Sequence, residues 1–291
     1  MAAPQLAGYS YTHFAVTSPR AFVAHVEINR ADKLNVFSRP MWLEFGRVFR
    51  QLSGDAEVRA VVLSGAGERA FTAGLDVRAA ADEGPLAPGG ADGHGGGDAA
   101  RAAKALRGHI DEFQGCIAEM ERCEKPVICV LHGISLGLAI DIACCADVRV
   151  CSSDTRFAVK EVDIGLAADV GTLARLPKIV GSTSWVKDVC LSARDFSASE
   201  ALGVGFVSQV HEGKAAALEA GLAMAGGLAG KSPVPKAERT YVFELRLEQG
   251  HHVFLDDDAL LVEVFDDVVV VVAVDVDDDG LDGRVALDED A

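Results

Sequence analysis

The sequence has no apolar run approaching the roughly 20 residues that a membrane-spanning helix requires, and an α-helical membrane protein is excluded on that ground. It lacks any CxxC pair, and its seven Cys are an odd number set mostly inside apolar segments. They read as buried thiols of a reducing compartment, not as a disulfide framework. His25, His109 and His132 have no partner at metal-ligand spacing, so no metal site is expected. Neither GxSxG nor a phosphate-binding glycine loop occurs, which removes the serine-hydrolase elbow and the P-loop from consideration. The opening "MAAPQLAGYSYTHF" lacks the charged-then-apolar order of a secretory signal and is too poor in Arg for a transit peptide. Cationic residues are scarce as well: 27 Lys and Arg face 44 Asp and Glu, a net charge of -17 that disfavours nucleic acid held on a basic face.

What is present is globular. With 291 residues, 49% of them hydrophobic and 24% charged, the chain is long enough for one large domain with an appendage. The acid is not evenly spread: from residue 255 to 291 there are 14 Asp or Glu against a single Arg, Arg284. "VFDDVVVVVAVDVDDDGLDGRVALDEDA" sets five consecutive Val among these acids and has no stable period for helix or strand. Disorder, or a stretch outside the native reading frame, is the expectation there.

"AHVEINR" and "VRAVVLSGAG" predict short strands on either side of a helix, "RPMWLEFGRVFRQLSG", with Pro near its start and Gly at its end. The Gly-rich stretch "DEGPLAPGGADGHGGGDAA" predicts a mobile loop flanking a site, followed by a long helix from Ala99 to Arg122. "KPVICVLHG" is a continuously apolar strand, expected to launch the helix "LGLAIDIACCAD" directly. "DVRVCS" and "RFAV" add two strands, and Ser182 to Ala229 reads as mainly helical with one last strand in "ALGVGFVSQV". Strands alternating with helices predict an α/β layered fold.

The chemistry belongs to acids and backbone amides. "FAVKEVDIGLAADVGT" places Glu161, Asp163 and Asp169 among apolar residues, with Glu161 and Asp169 eight positions apart. A carboxyl desolvated in such surroundings has a raised pKa and becomes a usable proton carrier, so two in one pocket can act as base and acid on one substrate. A salt bridge to Lys160, Arg175 or Lys178 is the competing reading, and for Asp163 it is preferred. Asp141 falls in the first turns of its helix, where the dipole alone would favour a carboxylate. "ERAFTAGLDV" and "HGISLGLAID" are two turns whose backbone N-H groups can converge on one oxygen as an oxyanion hole, or can simply be two tight turns.

These residues are where a resemblance appears. "HVEINRADKLN", "RAVVLSGAGERAFTAGLDV", "KPVICVLHGISLGLAIDIACCADVRV", "KEVDIGLAADVGTLARLPKIVG" and "KSPV", spread between Phe14 and Pro233, resemble the crotonase (enoyl-CoA hydratase/isomerase) superfamily, and within it the branch that isomerises dienoyl-CoA esters. The resemblance implies an α/β crotonase-type spiral of ββα units with a helical C-terminal region, occupying residues 14–234. Residues 1–13 would be an N-terminal extension, and 235–291 a divergent acidic segment. It implies conversion of a 3,5-dienoyl-CoA to the 2,4-dienoyl-CoA in fatty acid β-oxidation, with no cofactor beyond the coenzyme A of the acyl-CoA substrate, in mitochondria or peroxisomes, as a homotrimer or homohexamer. It assigns Asp169 as the base at C2, Glu161 as the acid at C6 and Asp141 as a further acid of the pocket. Leu75 and Leu138 would supply the oxyanion-hole N-H groups, and Arg69, Arg78 and Lys33 would meet the nucleotide of CoA.

A simple hydratase of this family is expected to carry Glu at position 141 and a small neutral residue at 169, so the acid at Asp169 favours isomerisation. Two alternatives stay open: an enoyl-CoA hydratase, and a crotonase-fold protein that binds acyl-CoA or a protein without turnover. Two departures bear on them. Leu138 and Ala139 follow Gly137 where the family has a Gly-rich run, and their side chains are expected to press on the thioester. The chain after about Pro235 no longer resembles the family, whose C-terminal helices close the acyl pocket and build the trimer, and it ends in "DEDA", without the peroxisomal tripeptide.

Overall fold

The computed structural model of the chain describes residues 3–83, 99–231, 260–265 and 268–273. The chain divides into two compact units, Met1–Ala237 and Glu238–Ala291.

The first unit is built from strand pairs. β1 (Phe14–Arg20) and β2 (Val23–Ile28) form an antiparallel hairpin leading into α1 (Arg39–Gly54). β3 (Ala60–Gly65) and β4 (Ala70–Thr72) follow, then α2 (Val77–Glu83) and α3 (Ala99–Glu121). β5 (Val127–Leu131) and β6 (Ile134–Leu136) lead into α4 (Leu138–Cys144), and β7 (Val148–Ser152) and β8 (Arg156–Ala158) into a 3₁₀ turn, Glu161–Ile164, and α5 (Thr172–Val180). Chain order maps onto sheet order: one sheet runs β1-β2-β3-β5-β7 and ends in β10 (Gln209–His211), and the other runs β4-β6-β8 and ends in β9 (Phe196–Ser197). After the β1–β2 hairpin, the pairs β3–β4, β5–β6 and β7–β8 each add one strand to the large sheet and one to the small sheet before a helix, which is the spiral of ββα units. From β2 to β10 the large sheet is parallel, in register His25↔Val62, Val62↔Ile128 and Cys129↔Arg149. Parallel strands need cover on both faces, and β3 and β5 are buried at every position.

The covers are supplied by helices. α1 buries Met41, Phe45, Val48, Phe49 and Leu52 at helical spacing, and packs on α3 and on an aromatic group of Phe14, Phe37 and Phe45. On the opposite face α8 (Gly213–Ala229) lays Ala217, Ala225 and Ala229 over Val62, Ile128, Val130 and Val150. Between them come α6 (Thr183–Ser192), β9 (Phe196–Ser197), α7 (Ala198–Gly203) and β10 (Gln209–His211), the helical C-terminal region.

Three local expectations change. The apolar strand β5 does not launch its helix directly, because the three-residue β6 intervenes, too short to show a period of two. Only the first residues of "ALGVGFVSQV", up to Gly203, belong to α7, which is capped by Ser197 Oγ, and the strand is confined to Gln209–His211 at its end. In the second unit the valine run is extended: β11 (Leu260–Phe265) and β12 (Val268–Ala273) pair antiparallel, Leu260 opposite Ala273, as a β-branched run favours. The Gly84–Asp98 loop lies outside the described residues, as does the remainder of the acidic segment 235–291.

One polar residue ties the turns together. Asn35 is fully buried in a left-handed conformation (φ 56°), which Asn tolerates better than most residues. Its Nδ2 donates to the carbonyls of Ala66, Ala70 and Phe71 at 3.0–3.1 Å, and its Oδ1 accepts from Arg30 N at 2.9 Å. Its own carbonyl accepts from Thr72 Oγ1 at 2.7 Å, and that hydroxyl in turn accepts from Gly74 N. Asn35→Ala leaves several buried groups without partners and should cost on the order of 3–5 kcal/mol, read as a lower midpoint in urea unfolding. A loss below about 1 kcal/mol would show that water takes over these bonds.

Candidate active site

The turn after β4 and the turn after β6 face each other at the mouth of a cavity of about 490 Å3. Gly74 (φ 100°) sits where a side chain would meet Leu136 O at 3.0 Å and Leu138 N at 3.7 Å, so its missing Cβ is what lets the two turns approach. Phe37 holds the first turn from both sides, its N-H donating to Gly74 O and its carbonyl accepting from Asp76 N, each at 2.8 Å. Leu75, between those two residues, has no backbone acceptor for its own N-H among the described residues. The same holds for Leu138, the first residue of α4, whose N-H is one of the orphan donors of a helix start. Both residues line the cavity. The side chains of Leu138 and Ala139 are packed into the hydrophobic core, Leu138 with one edge on the cavity.

Four carboxyls line the same cavity, and one of them, Asp76, is paired with Arg30 at 2.9 Å. Asp141, on α4, is 1% exposed, and its Oδ1 accepts from Thr172 N at 2.6 Å and Thr172 Oγ1 at 2.8 Å. Burial pushes its pKa up, against the pull of the Thr172 and Gly171 hydrogen bonds. Glu161 opens the 3₁₀ turn and lies against Gly137 (φ 56°), where a Cβ would stand 3.3 Å from Glu161 Oε1. Its Oε2 is buried and meets no N-H or hydroxyl donor among the described residues. Burial first, then the charge of Asp141 and a proton shared with it, raise Glu161 to about 7. Asp169 is exposed at the rim, and its carbonyl accepts from Gln114 Nε2 on α3 at 2.8 Å. The expectation that Glu161 and Asp169 are the two desolvated acids is therefore corrected. The buried pair is Asp141 with Glu161, because Leu166 and Ala167 beside Asp169 are themselves exposed, whereas α4 is buried at every position.

Asp163 points away and pairs with Lys160 at 3.2 Å. One wall is largely apolar: Trp42 stacks on Phe113 at 4.1 Å between centroids and takes His109 edge-on at 5.5 Å, with Leu43, Leu106 and Ile110 also in the lining. Arg69, Arg78 and Lys33 are exposed and not part of the lining, with Lys33 near Asp76, which pairs with Arg30 at 2.9 Å. Sequence reasoning missed Thr172, the partner of Asp141; a Thr after Gly at a helix start carries no signal beyond an ordinary cap.

A two-turn amide pair over clustered carboxyls, carried on a ββα spiral, defines a class of acyl-thioester enzymes. The family model for enoyl-CoA hydratase/isomerase matches residues 23–252, and the chain belongs to that family. Within it, the chain is 43% identical over 230 residues to the Mus musculus "Delta(3,5)-Delta(2,4)-dienoyl-CoA isomerase, mitochondrial", covering 79% of this chain and 68% of that protein. It is 37% identical over 232 residues to the Arabidopsis thaliana "Delta(3,5)-Delta(2,4)-dienoyl-CoA isomerase, peroxisomal", covering 78% and 81%. In fold, it matches the crystal structure of enoyl-CoA hydratase from Bacillus anthracis with a TM-score of 0.69 at 23% identity, over 80% of this chain and 83% of that one.

Proposed function

We propose that the chain is an enzyme of fatty acid β-oxidation that isomerises a 3,5-dienoyl-CoA to the 2,4-dienoyl-CoA. The observation that carries this is the division of its acids: one carboxyl exposed at the rim, Asp169, and one kept near neutral pKa inside, Glu161, both lining a cavity that also takes in the unbonded amides of Leu75 and Leu138. The thioester carbonyl accepts from Leu75 N-H and Leu138 N-H. The Asp169 carboxylate takes a proton from C2, and the electron pair spreads over the enolate oxygen, C2, C4 and C6. The amides stabilise the oxygen as it gains charge. Glu161 then delivers its proton to C6, the double bonds settle at C2–C3 and C4–C5, and both carboxyls exchange protons with water to reset. Every step is a proton transfer, so no cofactor is required. An acid pair alone, gripping one water, is the arrangement hydration needs; the third carboxyl at the rim is what a 1,5 proton shift adds.

Arg69, Arg78 and Lys33, exposed outside the cavity, are proposed to meet the CoA nucleotide. Exposed apolar side chains at Val162, Ile164, Leu173 and Leu191 support assembly of the protein as a homotrimer or homohexamer. The mouse and plant relatives named above place the setting in mitochondria or peroxisomes. The test is spectrophotometric: the purified protein converts the absorbance of a 3,5-dienoyl-CoA to that of the conjugated 2,4-thioester, and is slow to hydrate a 2-enoyl-CoA. Preferential hydration would assign it as a hydratase, and tight acyl-CoA binding without turnover as a non-catalytic binder.

A further inference from the structure

We infer that Thr172 is a positioning residue that decides which carboxyl of the buried pair carries the shared proton, holding Asp141 as the anion so that the proton rests on Glu161. The inference rests on the isomerase reading for its kinetic consequence, but not for its structural content.

The geometry is asymmetric. Asp141 receives two donors on one oxygen, from the backbone and the hydroxyl of a fully buried Thr172. On Glu161 the backbone N-H groups of Glu161 and Lys160 reach the carboxyl, but its buried Oε2 receives no donor among the described residues. Hydrogen bonds to a carboxylate favour its charged form, and a backbone N-H can only donate, so the Thr172 side of the pair is made for an anion. An undonated buried oxygen is better served by a neutral carboxyl.

Among the described residues no cation overrides this choice. Arg175, on α5, is committed to Glu121 of α3 through its Nε at 2.8 Å and to Val170 O. Lys160, next to Glu161, is bound to Ala193 O at 2.6 Å and Asp163 at 3.2 Å. Arg149 of β7 is spent on the carbonyls of Ala143, Ala146 and Phe206. The nearby thiols, Cys144 on α4 and Cys190 on α6, are kept neutral by burial, Cys190 at about 11. Asp169 is the remaining charged neighbour, and its charge opposes ionisation of Asp141. Hydrogen bonding by Thr172, joined by the Gly171 N-H, is therefore what offsets the repulsion, and the Thr172 hydroxyl is the part that a side-chain change can remove. A proton held on Asp141 would be withheld from Glu161, which would begin turnover with nothing to deliver to C6.

The test compares Thr172→Val, which keeps shape and N-H but loses the hydroxyl, with Thr172→Ser, which keeps both donors. For Thr172→Val, the plateau of kcat with a 3,5-dienoyl-CoA should fall by about one to two orders of magnitude with KM little changed. The alkaline limb should move to higher pH, because the pair holds its proton more tightly yet in the wrong place. Thr172→Ser should restore both. A fall in the plateau with an unmoved limb would overturn the inference. In parallel, carbon-13 NMR of the ligand-free wild type, with the Glu161 carboxyl assigned by its absence in Glu161→Gln, should show Glu161 protonated at pH 6. A Glu161 carboxyl ionised from pH 5 to 8 overturns the inference even if Thr172→Val does not fold. A protonated Glu161 in a protein that fails to turn over the diene would leave the inference standing and remove the isomerase reading instead.

Discussion

Asp169→Asn should lower kcat for a 3,5-dienoyl-CoA by about 10²–10⁴-fold with little change in KM, the range expected when a general base is removed. Asn has the same shape but cannot accept the C2 proton, so the enolate does not form at a useful rate. The substitution leaves the fold alone. Asp169 is exposed, and the contact that fixes it runs from Gln114 to its backbone carbonyl, which Asn retains. Stability should therefore stay within about 0.5 kcal/mol of wild type, as for surface changes generally. The same variant separates the two chemistries, because hydration would rely on Asp141 and Glu161, both untouched, and would continue. Kinetic assays beside a thermal melt decide it: diene turnover within twofold of wild type would remove Asp169 from the reaction.

Much of the large sheet was legible because its strands are long enough to be read. Val127–Leu131 is an uninterrupted apolar run and Ala60–Gly65 nearly so, and the helix between β2 and β3 was bounded by Pro40 and Gly54 in the sequence itself. Of the small sheet only Arg156–Ala158, in "RFAV", was legible; Ala70–Thr72 and Ile134–Leu136 have three residues each, and three residues cannot display alternation. The two-sheet spiral accordingly came from resemblance and not from periodicity. At the site, the acids could be named from their apolar neighbours, but their burial could not be ranked. Neighbours in sequence bury Asp169 less than distant elements bury Asp141, which is enclosed by its own helix and the start of α5. Asn35 and Thr172 act through partners roughly 30 positions away, and no local pattern announces such bonds.

Glu161→Gln should lower diene turnover by about 10²–10⁴-fold and abolish the alkaline limb of the pH profile. The sign follows from the acid's role. The competent form carries a proton on Glu161, so wild-type activity is present below about 7 and lost as pH rises through it. Stability moves with the same proton. Folding raises Glu161 from 4.5 to about 7, so the native state binds the proton more tightly than the unfolded chain does. That contribution is fully present below 4.5 and disappears as pH climbs through about 7. Gln is neutral throughout and its amide can donate to Asp141 as the protonated acid does, so the variant should lack this decline and be at least as stable as wild type at pH 8. Urea unfolding at pH 5 and pH 8 measures it. A wild-type stability that is flat across that interval, or a Gln variant that still turns over the diene, would show that Glu161 is not the acid. Loss of activity with stability kept or gained would mean that the site holds a carboxyl where it costs folding energy, because a proton is needed there.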